Sequence, residues 1–287
     1  MNIGFFDSGI GGLTVLKKAL EVLPDENYIY YADTDNVPYG TRKKEEVRKF
    51  VFDAVKFIIS KGAEALVIAC NNATSVAIED LRKEYSIPII GMEPAVKLAV
   101  EKNGNKNKRV LVVATALTLS ENKYRDLVNR IDDEKIIDSV PLPGLVWFAE
   151  KMQFDEKTVM EYLRKELKDF DLGKYGTVVL GCTHFVYFKN AFRKLFPPAV
   201  DVIDGNTGTV NNLKKKIHEV KLQKQGTEDP GKIPATTNDR VQNYTSRETF
   251  NEPAKKRINL TFYNSGRLVE KEDDLERYKK LFEQVPD

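Results

Sequence analysis

Cys70 and Cys182 are the only cysteines in the chain, and each closes the same kind of segment. The first follows Ala65-Leu66-Val67-Ile68-Ala69 and precedes Asn71-Asn72-Ala73-Thr74. The second follows Thr177-Val178-Val179-Leu180-Gly181 and precedes Thr183-His184. An apolar β-branched run, then a thiol, then small polar residues and a helical pattern reads as the carboxyl end of a parallel strand, where open α/β sheets gather their ligands. Two thiols at two such ends can face each other across one cleft. Facing acid/base groups suit a reaction that takes a proton from one side of a carbon and returns one to the other. A buried free cysteine is more often a small hydrophobe. The polar residues after Cys70, however, make a poor core, and a helix starting near Ala73 would favour a thiolate. His184, one of two histidines, stands two residues from Cys182 and can tune its ionisation or exchange protons with it. His218, in a lysine-rich helical stretch, reads as a surface residue.

Other polar segments also follow strands. Asp7-Ser8-Gly9-Ile10-Gly11-Gly12-Leu13-Thr14 lies directly after the first one. Its glycines allow a tight turn and close approach of a ligand, and the helix that follows could aim its first N–H groups at an anion such as a carboxylate. The bland alternative is a glycine-rich turn with Asp7 capping the helix. The segment lacks Gly-Lys-Ser/Thr and is not Gly-x-Gly-x-x-Gly, so neither nucleotide fingerprint is met. Asp33-Thr34-Asp35-Asn36-Val37-Pro38-Tyr39-Gly40 follows a second strand and supplies a rigid turn with a phenol. Glu93, Thr115 and Thr118 also lie just after strands, and Glu150 follows an apolar Leu145-Val146-Trp147-Phe148 wall. Taken singly, each of these four is more simply structural.

These groups must be held by alternating strands and helices. Strand-like runs fall at 3–6, 27–32, 65–69, 87–90, 109–113, 135–140, 177–180 and 200–203. Between them lie helical patterns. In 43–61, Val47, Phe50, Val51, Ala54, Phe57 and Ile58 recur at helical spacing and Gly62 stands at the C-terminal cap. Pro94 opens another helix, with Gly104 after its end. After Cys182, Phe188, Ala191, Phe192 and Leu195 share a helix face, and Pro197-Pro198 stops it. Such alternation predicts an α/β fold with covered, mainly parallel strands. Polar Asn103-Gly104-Asn105-Lys106-Asn107-Lys108 reads as a linker. Two similar lobes are therefore expected, 1–98 plus 207–287 and 99–206, with the active site in the cleft between them. Residues 221–257 are rich in Lys, Gln, Thr and Asn and read as a mobile insertion. Order resumes at 258–263, and a helix carrying Leu275, Tyr278, Leu281 and Phe282 closes the chain.

The chain has 287 residues, 41% hydrophobic and 31% charged, which is enough for a substantial core in a soluble protein. A net charge of +2 argues against nucleic acid. No apolar run approaches a membrane span and no signal peptide is evident, which points to the cytoplasm. Two cysteines make no disulfide framework, and no zinc-binding pattern or other metal site is visible.

Together the motifs resemble the cofactor-independent aspartate/glutamate racemase superfamily. The resemblance rests on residues 6–16, Asp33 with Pro38-Tyr39-Gly40, Ala69-Cys70-Asn71, Gly181-Cys182-Thr183-His184 and the tail Phe262-Tyr263-Asn264-Ser265-Gly266. It covers about residues 1–220. Within that resemblance, the histidine after Cys182-Thr183 favours the glutamate branch over aspartate racemases, which tend to carry an acidic residue at that position. The resemblance implies racemisation of L- and D-glutamate without cofactor or metal, supplying D-glutamate for peptidoglycan in a cytoplasmic homodimer. It assigns the thiols of Cys70 and Cys182 to opposite faces of the α-carbon, assisted by Asp7, Glu150 and His184. Substrate contacts fall on Asp7, Ser8, Pro38, Tyr39, Gly40, Cys70, Asn71, Asn72, Thr74, Thr115, Thr118, Cys182, Thr183 and His184. Asn72 stands where Thr or Ser is commoner, Val186 replaces a usual proline, and the 204–207 turn and the 221–257 insertion are atypical. Three alternatives remain at this level: another acidic substrate such as aspartate, a non-catalytic amino-acid-binding protein, and a redox pair, which needs Cα atoms about 6 Å apart.

Overall fold

A computed structural model describes residues 1–93, 95–104, 107–133, 135–226 and 259–286. Ten strands occur among them: β1 (Asn2–Asp7), β2 (Asn27–Ala32), β3 (Ala65–Ile68), β4 (Ile89–Gly91), β5 (Arg109–Ala114), β6 (Ile137–Pro141), β7 (Tyr175–Leu180), β8 (Asp201–Asp204), β9 (Leu260–Asn264) and β10 (Arg267–Leu268). They form a six-stranded sheet, β10-β9-β2-β1-β3-β4, and a four-stranded sheet, β6-β5-β7-β8. Every pairing is parallel except the β9–β10 hairpin. Phe5, Phe6 and Tyr30 are fully buried, as are Leu66, Val67, Leu111 and Val178. Continuous apolar runs of this kind belong to strands covered by helices on both faces.

Register decides where the polar strand ends meet. Phe6 pairs with Ile68 across β1 and β3, so two residues further on Ser8 comes beside Cys70. Val113 pairs with Leu180 across β5 and β7, which brings Thr115 beside Cys182 in the same way.

The helix Lys44–Ser60 starts where the Lys43 N–H donates to the Glu46 carboxylate at 3.2 Å. It ends at Gly62, whose φ of +86° a side chain would strain. The helix Val96–Asn103 ends at Gly104 as its sequence predicts, while Pro94 lies outside the described residues.

Two segments depart from expectation. Cys182 is followed by a 3-10 stretch, Thr183–Phe188, before the α-helix Lys189–Leu195 begins. All six residues of the 3-10 stretch are buried, so packing on every side overrides the one-faced pattern of a surface helix. Residues 221–226, expected in the insertion, instead extend the helix Asn206–Gly226, and the Lys221 ammonium reaches the buried Glu26 carboxylate. The expected insertion otherwise falls outside the described residues. After it, β9 enters the first sheet parallel to β2, and the closing helix Glu272–Gln284 packs on the helix Leu13–Val22.

Candidate active site

The carboxyl ends of β1 and β3 on one sheet, and of β5 and β7 on the other, converge on a small pocket. Ser8, Pro38, Tyr39, Gly40, Cys70, Asn71, Asn72, Thr115, Cys182, Thr183 and His184 line it, together with Val146. The Val37–Pro38 peptide bond in its wall is cis. Both thiols are free and buried. The enclosed space is about 10 Å³, room for roughly one water molecule.

Each thiol has its own polar partners. Cys70 Sγ donates to Ser8 Oγ at 3.6 Å. Burial pushes this thiol up to about 12, and the nearby Asp7 adds to the effect against the Ala73 N–H and the Ser8 hydroxyl. Cys182 Sγ lies 3.8 Å from His184 Nδ1, and His184 Nε2 lies 2.6 Å from Glu150 Oε1. Burial alone would pull the imidazole down, but the contacts with Cys182 and Glu150 outweigh it and hold His184 well above its ordinary value. Burial likewise opposes ionisation of Glu150, and the hydrogen bond and charge of His184 more than reverse it. The outcome is an imidazolium–carboxylate pair behind Cys182, with positive charge next to its sulfur.

Asp7 is fully buried. Its Oδ1 accepts the Gly9 N–H at 2.8 Å, and its Oδ2 accepts the Thr183 hydroxyl at 3.1 Å. Burial raises it to about 6 even though His184 pulls the other way. The helix Leu13–Val22 has no side-chain cap, so Asp7 shapes the loop instead of capping the helix. Nor do the first helical N–H groups await an anion. Those of Leu13, Thr14 and Val15 bond the carbonyls of Ile10, Gly11 and Gly12, while the Ile10 N–H donates to Glu150 Oε1 at 3.0 Å. The loop is thus bound to the chain's own carboxylates.

Two glycines permit this closure. A Cβ on Gly11 would lie 2.4 Å from Thr183 Oγ1 and 2.8 Å from the His184 backbone nitrogen. One on Gly40 would lie 2.9 Å from Thr115 Cβ.

The remaining sequence candidates divide. Thr115 and Thr118 both donate to Asn72 Oδ1, at 2.6 and 2.9 Å. Asn71 Oδ1 has no hydrogen-bond partner, which leaves an acceptor at the pocket wall. Tyr39 donates its hydroxyl to the buried Asp33 at 2.6 Å. Asp7, Glu150, Thr74 and Thr118 do not line the pocket. Thr74 instead donates to the Ile68 carbonyl and accepts from Met92 N–H. Asn71, Thr74 and Thr118 border a separate cavity of about 620 Å³ that includes neither thiol. His218 is exposed, away from the site.

Sequence reasoning missed Val146 in the pocket wall. It also missed the Tyr30 and Tyr187 hydroxyls, which donate to the Gly9 and Ile10 carbonyls at 2.8 and 3.1 Å. Arg277, whose guanidinium donates to the Glu150 carbonyl at 3.1 Å, escaped notice as well. Glu150 at a helix end and an arginine on an amphipathic tail helix carry no local sign of meeting. Among the described residues, no group of three or more His, Cys, Asp or Glu is placed to hold a metal ion. Among them too, no helix is long and apolar enough to cross a membrane.

Two mainly parallel α/β sheets that meet at a two-thiol pocket are the architecture of a racemase family, and the chain belongs to it: residues 11–213 match the family described as Asp/Glu/Hydantoin racemase. The glutamate racemase of Halothermothrix orenii is 57% identical over 233 residues, covering 81% of this chain and 91% of that one. Glutamate racemase 2 of Bacillus subtilis is 49% identical over 283 residues, covering 99% and 96%. The solved structure of glutamate racemase from Francisella tularensis in complex with D-glutamate is 30% identical, with a TM-score of 0.67 over 77% of this chain and 82% of that one.

Proposed function

We propose that the protein is a glutamate racemase that interconverts L- and D-glutamate with its own two thiols as acid and base. The observation that carries this reading is the pair of free, buried cysteines at the ends of β3 and β7, lining one pocket from two sheets. Relatives named glutamate racemase at 57% and 49% identity support the substrate. The thiolate of one cysteine takes the α-proton and becomes a thiol. The other thiol gives its proton to the opposite face of the carbon and becomes the thiolate, so each turnover exchanges the two states. The α-proton is weakly acidic, and the transient carbanion needs fixed donors in a site without bulk water. Enclosure of the pocket and the polar groups of Ser8, Asn71, Asn72, Thr115 and Thr183 provide that setting. His184 lies beside Cys182, while Ser8 and Asp7 serve the Cys70 side.

On this reading the lobes are 1–98 with 207–287, and 99–206, and glutamate enters as they part. The enzyme works without cofactor as a cytoplasmic homodimer that supplies D-glutamate for peptidoglycan, and contacts neither nucleic acid nor membrane. The test is incubation with L-glutamate in deuterated water, without added cofactor. Optical rotation should fall to zero while deuterium enters the α position. Cys70→Ala and Cys182→Ala should each lower racemisation by at least about 100-fold with thermal unfolding near that of the parent. Full activity in either variant refutes the two-thiol scheme.

A further inference from the structure

We propose that Arg277 is a positioning residue for this reaction: from the closing helix Glu272–Gln284, its guanidinium holds Glu150 behind His184 and thereby governs how readily Cys182 exchanges its proton. The inference rests on the reading of Cys182 as one of the two acid/base thiols.

Glu150 is the last residue of the helix Pro143–Glu150. Its carbonyl is one of the terminal acceptors that a helix cannot satisfy internally. Arg277 Nη2 donates to that carbonyl at 3.1 Å and lies 4.0 Å from the carboxylate Oε2. The other carboxylate oxygen, Oε1, takes both the Ile10 N–H and the His184 ring. One guanidinium therefore addresses the backbone and the free side of the same residue, a task suited to its rigid fork of donors. The charged and titratable groups around Glu150 are His184, Asp7, Arg277 and the phenols of Tyr30, Tyr187 and Tyr278. Only His184 and Arg277 among them are cationic.

The helix itself is firmly seated. Tyr278 stacks on Phe262 of β9 with ring centroids 4.4 Å apart, and Leu281 is fully buried. Arg277 thus links the strand that rejoins the first sheet to the acid/base pair on the other side of the pocket. It also lies beyond the 11–213 segment that matches the family.

The test compares the parent with Arg277→Met, Arg277→Lys, Lys280→Met and Cys182→Ala. Lys280 is exposed on the same helix and controls for simple loss of charge. Racemisation is followed across pH, with kcat and KM separated, alongside thermal unfolding. Arg277→Met should lower kcat by about 10-fold and leave KM within about twofold. Its acid limb in kcat/KM should move to higher pH by about half a unit, because removing a cation makes each acid in the cluster hold its proton more tightly. Arg277→Lys should restore most of the limb position, and Lys280→Met should match the parent. Arg277→Met with the parental profile would overturn the inference. So would activity lost only in proportion to folded protein, with an unmoved limb. If Cys182→Ala still racemises, the two-thiol reading fails; if it is inactive while Arg277→Met is unchanged, only the role of Arg277 fails.

Discussion

Replacing Gly11 by alanine tests the closed geometry of the pocket most directly. The new Cβ would sit 2.4 Å from Thr183 Oγ1, 2.5 Å from His184 Nδ1 and 2.8 Å from the His184 backbone nitrogen. Rotamer changes cannot relieve the last contact, because it involves backbone. The first two side chains are committed as well, Thr183 to Asp7 and His184 to Glu150. The loop carrying Cys182 must therefore withdraw from the glycine-rich loop. Overpacking of this kind costs about 1–3 kcal/mol, and loss of the Thr183–Asp7 hydrogen bond adds about 1 kcal/mol. In a protein of this length that amounts to several degrees in Tm, at about 2–4 °C per kcal/mol. The catalytic loss should be larger, since a displacement of about 1 Å at reacting groups is worth about 100-fold. The assay is circular dichroism of D- and L-glutamate mixtures at saturating substrate, paired with thermal unfolding. Gly173→Ala is the control, because its Cβ meets nothing closer than 3.4 Å. Gly11→Ala with kcat within threefold of the parent would refute the claim that these two loops must touch for turnover.

Asp7→Asn should change the pH dependence of stability. With Asp7 raised to about 6 from 3.8, the folded protein keeps a proton that the unfolded chain has released between those values. Stability contributed by this group therefore falls as pH rises through that window, by roughly 3 kcal/mol in all. Denaturant unfolding at pH 4 and pH 7 should show the parent losing that much relative to Asp7→Asn, and parallel profiles would contradict the buried carboxyl. Tyr39→Phe removes the hydroxyl that donates to buried Asp33 at 2.6 Å and should cost about 1–3 kcal/mol, read from the urea midpoint. An unchanged midpoint would mean that the pair contributes nothing to holding the turn at Pro38.

Much of the architecture was legible in short runs of sequence. The apolar stretches ending at Cys70 and Cys182 read as strands because parallel strands buried on both faces need uninterrupted β-branched residues. Gly62 marked a helix end because its backbone conformation excludes side chains. The residues from 183 to 188 were harder. The helical spacing from Phe188 to Leu195 marks the α-helix that follows them, but burial on all sides selects a 3-10 path for these six residues that no one-dimensional pattern reveals. The family resemblance alone marks Thr74 and Thr118 as substrate contacts; their hydrogen bonds, Thr74 with the Ile68 carbonyl and the Met92 N–H and Thr118 with Asn72, have no local sign in the sequence.

By itself, the sequence determined the strand–helix order, the two thiols at strand ends and the imidazole beside the second. These follow from local rules: side-chain periodicity, glycine conformation and the chemistry of adjacent residues. Only the tertiary structure decided that Glu150 stands behind His184, that Asp7 reaches Thr183, and that Arg277 meets Glu150 across 127 residues of chain. Those contacts depend on strand register and on how two sheets pack; the burial that results raises Asp7 and Cys70, while the contacts themselves raise His184 against it. No short stretch of sequence encodes a dielectric environment assembled from both ends of the molecule.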